Sequence, residues 1–79
     1  MTNNFKAGDT AYIKITEKIR GLEHYFALNT EVKIINSWID ENDINYTVIG
    51  NYIGGDYNIK QVVYPEHLSP IPIHELDAE

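Results

Sequence analysis

The chain alternates apolar and polar positions in short runs, separated by turn-forming residues. After Gly8-Asp9, the run Thr10-Ala11-Tyr12-Ile13-Lys14-Ile15 puts Ala11, Ile13 and Ile15 on one face and Tyr12 and Lys14 on the other. That two-residue period marks a half-buried β-strand. A second strand is predicted from Thr30 to Trp38, with Val32 and Ile34 toward a core and Glu31 and Lys33 toward water. Ile35 falls out of phase there, so the pattern requires a bulge or burial on both sides at that point. The acidic turn Asp40-Glu41-Asn42-Asp43 follows, and a third strand then sets Ile44, Tyr46 and Val48 inward and Asn45 and Thr47 outward. Gly54-Gly55-Asp56 is the strongest turn signal, because glycine accepts the positive φ that tight hairpins require. A fourth strand runs from Ile59 to Tyr64 and stops at Pro65, which has no N–H for a ladder. Glu66 to Ser69 suits one helical turn with Leu68 inward, and Pro70-Ile71 would begin a last short strand.

Between the first two strands, Thr16 to Asn29 shows neither clean alternation nor a helical stripe. It reads as a long structured loop, with Phe26 and Leu28 folding back on the core. Residues 1–7 form a short arm with Phe5 plugging one end of the core, and residues 74–79 a frayed acidic tail. The prediction is one all-β domain over residues 1–73, a small barrel of about five strands whose closure removes exposed sheet edges. An all-helical chain is excluded by the Gly and Pro placement and by the β-branched and aromatic residues of the 30–64 stretch.

Composition narrows the chemistry. At 79 residues the chain holds one modest core, and a domain of this size buries only about 60% of the surface its unfolded form exposes. Cysteine is absent, which removes disulfides, thiolate metal sites and thiol nucleophiles. Three histidines are the only nitrogen donors for a metal, too few to predict a structural zinc. No apolar run approaches the roughly 20 residues needed to span a bilayer. The start Met1-Thr2-Asn3-Asn4-Phe5-Lys6 lacks the apolar segment of a secretory signal, so a cytoplasmic location without membrane attachment is expected. The formal charge of −6 is uneven: residues 1–38 carry a net +1, residues 39–79 a net −7. Such a balance opposes sequence-independent binding to phosphate backbones.

The string Gly8-Asp9-Thr10-Ala11-Tyr12-Ile13, a long loop, Glu31-Val32-Lys33-Ile34-Ile35, Tyr46-Thr47-Val48 and His67-Leu68-Ser69-Pro70-Ile71 resembles small SH3-like barrels of the KOW and Tudor kind. It looks especially like the short stand-alone barrels encoded by tailed phages and prophages, over about residues 5–73. The resemblance implies an SH3-like fold, a binding role and, for a phage protein, modulation of a host factor in the host cytoplasm. Peptide-binding SH3 domains open on an Ala-Leu-Tyr-Asp-Tyr-type motif and carry a tryptophan pair, whereas this chain has Ala11-Tyr12-Ile13-Lys14 and Trp38 alone. The KOW glycine before the second-strand valine is likewise replaced by Thr30-Glu31 ahead of Val32.

No catalytic constellation emerges, and neither enzyme activity nor a cofactor is expected. Asp40 to Asp43 lacks the spacing and the glycine of a calcium loop and reads as a solvated turn. Glu66-His67 and His74-Glu75 have no nucleophile beside them. Gly54-Gly55 joins two strands and opens no helix, so it offers no phosphate cradle. The aromatic residues carry more. A core this small cannot cover Tyr12, Tyr25, Phe26, Trp38, Tyr52 and Tyr57 together, and exposed Tyr and Trp serve as interface anchors. These six, with the long loop, are the predicted protein-binding surface. The alternatives are a nucleic-acid interface at Lys14, Lys18, Arg20 and Lys33 on the first hairpin, and an acidic second half that imitates DNA phosphates. Sequence alone leaves the oligomeric state open.

Overall fold

A computed structural model describes residues 5–72. Five antiparallel strands form one sheet curled into a half-barrel: β1 (Thr10–Ile13), β2 (Glu31–Asp40), β3 (Asp43–Asn51), β4 (Asn58–Val63) and β5 (Leu68–Ser69). Their order across the sheet is β4-β3-β2-β1-β5. A single 3-10 turn, Pro65–His67, separates β4 from β5. The all-β architecture, the long loop after the first strand and the short helical turn before the last strand all match the sequence pattern.

Registry follows from the turns. Glu41 (φ 51°) and Asn42 (φ 73°) both lie in the left-handed region, the conformation that lets a two-residue turn close a hairpin with the native twist. Asp40 consequently faces Asp43, and pairing continues through Trp38↔Asn45 and Ser37↔Tyr46. The ladder slips by one residue between Ile34 and Asn36. Ile35 is therefore the bulge that its out-of-phase position predicts, and beyond it the face occupied by odd and even residues exchanges.

The core collects Ala11 and Ile13 from β1, Val32 and Ile34 from β2, Tyr46 and Val48 from β3, Val63, Leu68 and Phe26. Phe26 reaches it because β3 offers Gly50 opposite Val32. A Cβ on Gly50 would stand 2.5 Å from Val32 Cγ1 and 3.1 Å from Phe26 Cε1, so the missing side chain is the slot that the phenyl ring enters. Phe5 packs edge-on against Tyr46, with ring centroids 5.7 Å apart, and its N–H donates to the Tyr46 hydroxyl at 3.1 Å. Phe5 thus plugs one end of the core, as expected, and residues 1–4 of the predicted arm lie outside the described residues.

Four expectations change. Among the described residues the sheet curls but does not close, because β4 and β5 do not pair, so its edges remain. Leu28 is 56% exposed and does not fold back, leaving that role to Phe26 alone. Asn45 is buried rather than solvated; it faces Trp38 across the hairpin, and its side-chain amide donates to the Asp43 carbonyl at 3.4 Å. The last strand is Leu68–Ser69, pairing with Ile13 and Tyr12, and Pro70-Ile71 lies beyond it. The predicted tail at 74–79, and the domain end at 73, fall outside the described residues.

Candidate functional site

The long loop is built, residue by residue, against the sheet. Arg20 (φ 49°) and Gly21 (φ 85°) make a second left-handed pair, closed by reciprocal hydrogen bonds between Ile19 and Leu22 at 3.2 and 2.9 Å. This miniature hairpin carries Arg20 to the far side of the fold. There its guanidinium donates to Glu66 at 2.9 Å, lies 4.0 Å from Asp43 and sits 4.3 Å over the Tyr64 ring. The hydrogen bond from Arg20 holds the Glu66 carboxyl below its ordinary value, and the same bond raises the guanidinium's.

Below this clamp, two buried histidines lock the loop's return. His24 Nε2 lies 2.9 Å from the Ile15 carbonyl, and its Nδ1 accepts the Phe26 N–H at 3.2 Å. His67 Nδ1 accepts the Tyr64 N–H at 3.0 Å. Each ring accepts through Nδ1 and so carries its proton on Nε2. The two imidazoles meet edge to face, with centroids 4.8 Å apart. His67 is fully buried, and among the described residues its Nε2–H makes no hydrogen bond of good geometry, the Glu17 backbone being its nearest acceptor. Burial first, then the neighbouring His24, lowers its pKa, with the Glu17 backbone opposing.

The loop then reaches the β3–β4 turn. The Ile53 N–H donates to the Tyr25 carbonyl at 2.8 Å, and the Tyr25 N–H donates to Gln61 Oε1 at 2.7 Å. These two bonds set the Tyr25 ring 6.1 Å from Tyr52, which stacks on Tyr57 at 5.2 Å with a 13° interplanar angle. The turn beneath is closed by Tyr52 N–H to the Tyr57 carbonyl at 2.9 Å and by Asn51 Nδ2 to the Gly55 carbonyl at 3.0 Å. Gly55 is required for close approach, since a Cβ there would stand 2.9 Å from Tyr57 Cε1 and 3.0 Å from Tyr52 Cδ2. Tyr25, Ile53 and Tyr57 are each about half exposed (49%, 50% and 56%). A shallow groove of about 350 Å³, lined by Leu22, Glu23, Thr47, Lys60, Gln61 and Val62, adjoins this patch through Gln61.

Of the six aromatic residues singled out from sequence, the fold brings Tyr25, Tyr52 and Tyr57 together and separates the others. Phe26 is 2% exposed and belongs to the core, so it cannot contact a partner. Tyr12 is half-buried on β1, between Glu31 and Ser69. Trp38 is exposed but stands opposite Asn45 on β3, about 20 Å along that strand from Tyr52 at the strand rise per residue. The expected continuous aromatic strip is therefore a tyrosine patch at one end and a separate tryptophan at the other.

The predicted basic patch is also divided. Lys18 lies 3.5 Å from Glu23, and Arg20 is held by Glu66 and Asp43. Lys14 follows β1, whereas Lys33 faces Thr10 at its start, about 13 Å away along the strand. The sequence did not reveal that Lys33 and Lys60 flank Ile49 in one cross-strand row. It also missed the buried His24–His67 pair, whose only sequence signal was a histidine among aromatic residues in the loop. Among the described residues, no three His, Asp or Glu side chains converge as metal ligands would, and no helix is long and apolar enough to cross a membrane. No family model, no curated protein and no solved structure matches the chain.

Proposed function

We propose that this chain is a small non-enzymatic docking module that binds another protein through the patch of Tyr25, Tyr52, Ile53 and Tyr57. The observation that carries this reading is the stitching of the first loop at Tyr25 to Ile53 in the β3–β4 turn by a backbone hydrogen bond and to the Gln61 side chain on β4 by a second bond. The bonds fix where Tyr25 sits beside the Tyr52–Tyr57 stack, which gathers exposed ring area in one place, and clustered Tyr rings are favoured interface anchors. The SH3-like order of parts, read with its phage-type resemblance, extends the proposal to a host protein met in the host cytoplasm.

The test is affinity capture from host lysate with the wild-type chain, Tyr25→Ala, Tyr57→Ala and the pair Lys14→Glu with Lys33→Glu. Loss of the captured protein in the tyrosine variants, with retention in the lysine variant, is the expected result. Capture that fails only in the lysine variant, together with a steep salt dependence on DNA or RNA, would replace this reading with nucleic-acid binding.

A further inference from the structure

β1 accompanies β2 only as far as Ile34. The Gly8 N–H donates to the Ile34 carbonyl at 2.8 Å, and the Ile34 N–H donates to the Asp9 carbonyl at 2.8 Å. Past the Ile35 bulge, β2 continues for five residues, Asn36 to Asp40, every one of them exposed. β4 also stops short, its last pair being Tyr46↔Val63. Past Tyr46 the hairpin therefore continues as two strands only, among the described residues, with β3 still anchored by Ile44 against the core and by buried Asn45 while β2 stays exposed.

The registry shows which backbone groups this arm leaves open. A two-residue turn closes on a hydrogen-bonded pair, here Asp40↔Asp43, and bonded pairs alternate along an antiparallel ladder. Asn36, Trp38 and Asp40 thus spend their backbone groups on β3, whereas the N–H and C=O of Ser37 and Ile39 face outward. Among the described residues no strand covers them. Flanking these open groups are Trp38 (40% exposed) and Ile39 (73% exposed). Residues 36–40 include no proline and no lysine, and the only charge among them is Asp40 at the turn. The other long edge, β4, is managed differently, with Lys60 on it and the first loop bonded to Gln61.

We propose that this edge of β2 is a self-association surface, on which two copies of the chain pair antiparallel about a two-fold axis at Trp38. In that register Ser37 of one copy faces Ile39 of the other on both sides of the axis, exchanging about four ladder hydrogen bonds. Trp38 meets Trp38 in the closer, non-hydrogen-bonded pair, where side chains touch. Asp40 faces Asn36, so no carboxylate opposes another. The acidic turn of each copy continues along its neighbour's edge to the point where Lys6, Ala7 and Gly8 leave β2. Lys6 is exposed there, and its charge complements Asp40 and Glu41. Such an interface is isologous and self-limiting, because pairing uses the edge in both copies. It stands apart from the tyrosine patch and does not depend on the docking role proposed above.

Sedimentation velocity from about 1 to about 200 µM tests this, since a dimer of ordinary affinity dissociates within that range. Trp38 is the only tryptophan, so its emission reports the interface without a label. The expected result is a dimer that dissociates on dilution as the emission shifts to the red. Ser37→Pro removes an outward N–H that β3 does not use, and Ile39→Lys places a charge on the edge. Both are expected to sediment as monomers with an unchanged far-UV CD spectrum, and Lys6→Glu to weaken association by up to about fivefold. A wild-type monomer with constant emission across the range would overturn the proposal. So would a dimer whose affinity is the same in Ser37→Pro and Ile39→Lys, which would place the contact elsewhere.

Discussion

Arg20 and Glu66 are 46 residues apart in sequence, yet the guanidinium Nη1 lies 2.9 Å from one carboxylate oxygen and Nη2 lies 3.5 Å from the other. This fork joins the tip of the first loop to the 3-10 turn and holds Arg20 over Tyr64. Both side chains remain about half exposed, so their role is to fix where the loop sits more than to stabilise the whole fold.

Arg20→Ala is accordingly expected to leave the thermal midpoint nearly unchanged while amide exchange at Leu22, Glu23 and Tyr25 accelerates at least several-fold. The pair also has a defined acid limit. Glu66 titrates below its ordinary value of 4.5 in the folded chain. Its contribution is therefore complete above that value and disappears as pH falls through the depressed folded value. Hydrogen exchange followed between neutral and strongly acidic pH should show the loop of wild type approaching that of Arg20→Ala. Exchange rates that differ equally at all pH values would contradict the assignment.

His67 gives a second dependence at milder pH. Its pKa is lowered from 6.5 by burial and by His24, so just below that value the unfolded chain binds a proton that the folded chain refuses. Stability must then fall as pH drops below about 6.5 and level off above it. Protonation would also set an N–H against the Tyr64 N–H that Nδ1 now accepts. Urea unfolding at about pH 7.5 and about pH 5.5 measures the difference. In His67→Leu the overall stability is lower, because Tyr64 loses its acceptor, but the decrease between the two pH values should shrink. An unchanged pH dependence in that variant would place the titrating group elsewhere.

The strands and turns were legible in the sequence because each depends on neighbours. Alternation from Thr10 to Ile15, the out-of-phase Ile35, Gly54-Gly55 and Pro65 are local signals, and each element they specify is present within one or two residues. Where the chain ran differently, a distant partner decided. Phe26 and Leu28 share loop spacing and hydrophobicity; Phe26 is buried only because Gly50, 24 positions later, leaves a slot. Lys18 and Arg20 read as a basic patch until the fold supplies Glu23, Glu66 and Asp43. Tyr25, Tyr52 and Tyr57 could be named as exposed, whereas their grouping depends on hydrogen bonds from Ile53 to Tyr25 and from Tyr25 to Gln61.

The two glycines under aromatic rings should respond differently to the same substitution. At Gly50 the added methyl meets Val32 and Phe26 inside the core and stands 3.3 Å from the Glu31 carbonyl, which is backbone and yields little. Gly50→Ala is expected to lower stability by about 1–3 kcal/mol, the usual range for overpacking. At Gly55 the methyl meets only the outer atoms of Tyr52 and Tyr57, which can swing into solvent. Gly55→Ala should therefore change stability by less than about 0.5 kcal/mol while breaking the tyrosine stack. Chemical denaturation, with ring proton shifts of the two tyrosines as a second readout, separates these outcomes.

Phe26 and Tyr25 are adjacent in sequence and opposite in role, which makes them the sharpest comparison in the molecule. Phe26 fills the Gly50 slot at 2% exposure, and Phe26→Ala would empty it. Truncating a buried phenyl to alanine costs about 3–5 kcal/mol, a large share of the stability of a domain this small. That variant should be partly or wholly unfolded at 37 °C by CD. Tyr25 keeps its place through backbone groups that alanine retains, the N–H to Gln61 and the carbonyl to Ile53. Tyr25→Ala should therefore stay folded, within about 1 kcal/mol of wild type, and lose partner capture. Should Tyr25→Ala unfold the chain as Phe26→Ala does, its ring would belong to the core, and a docking patch could not be built on it.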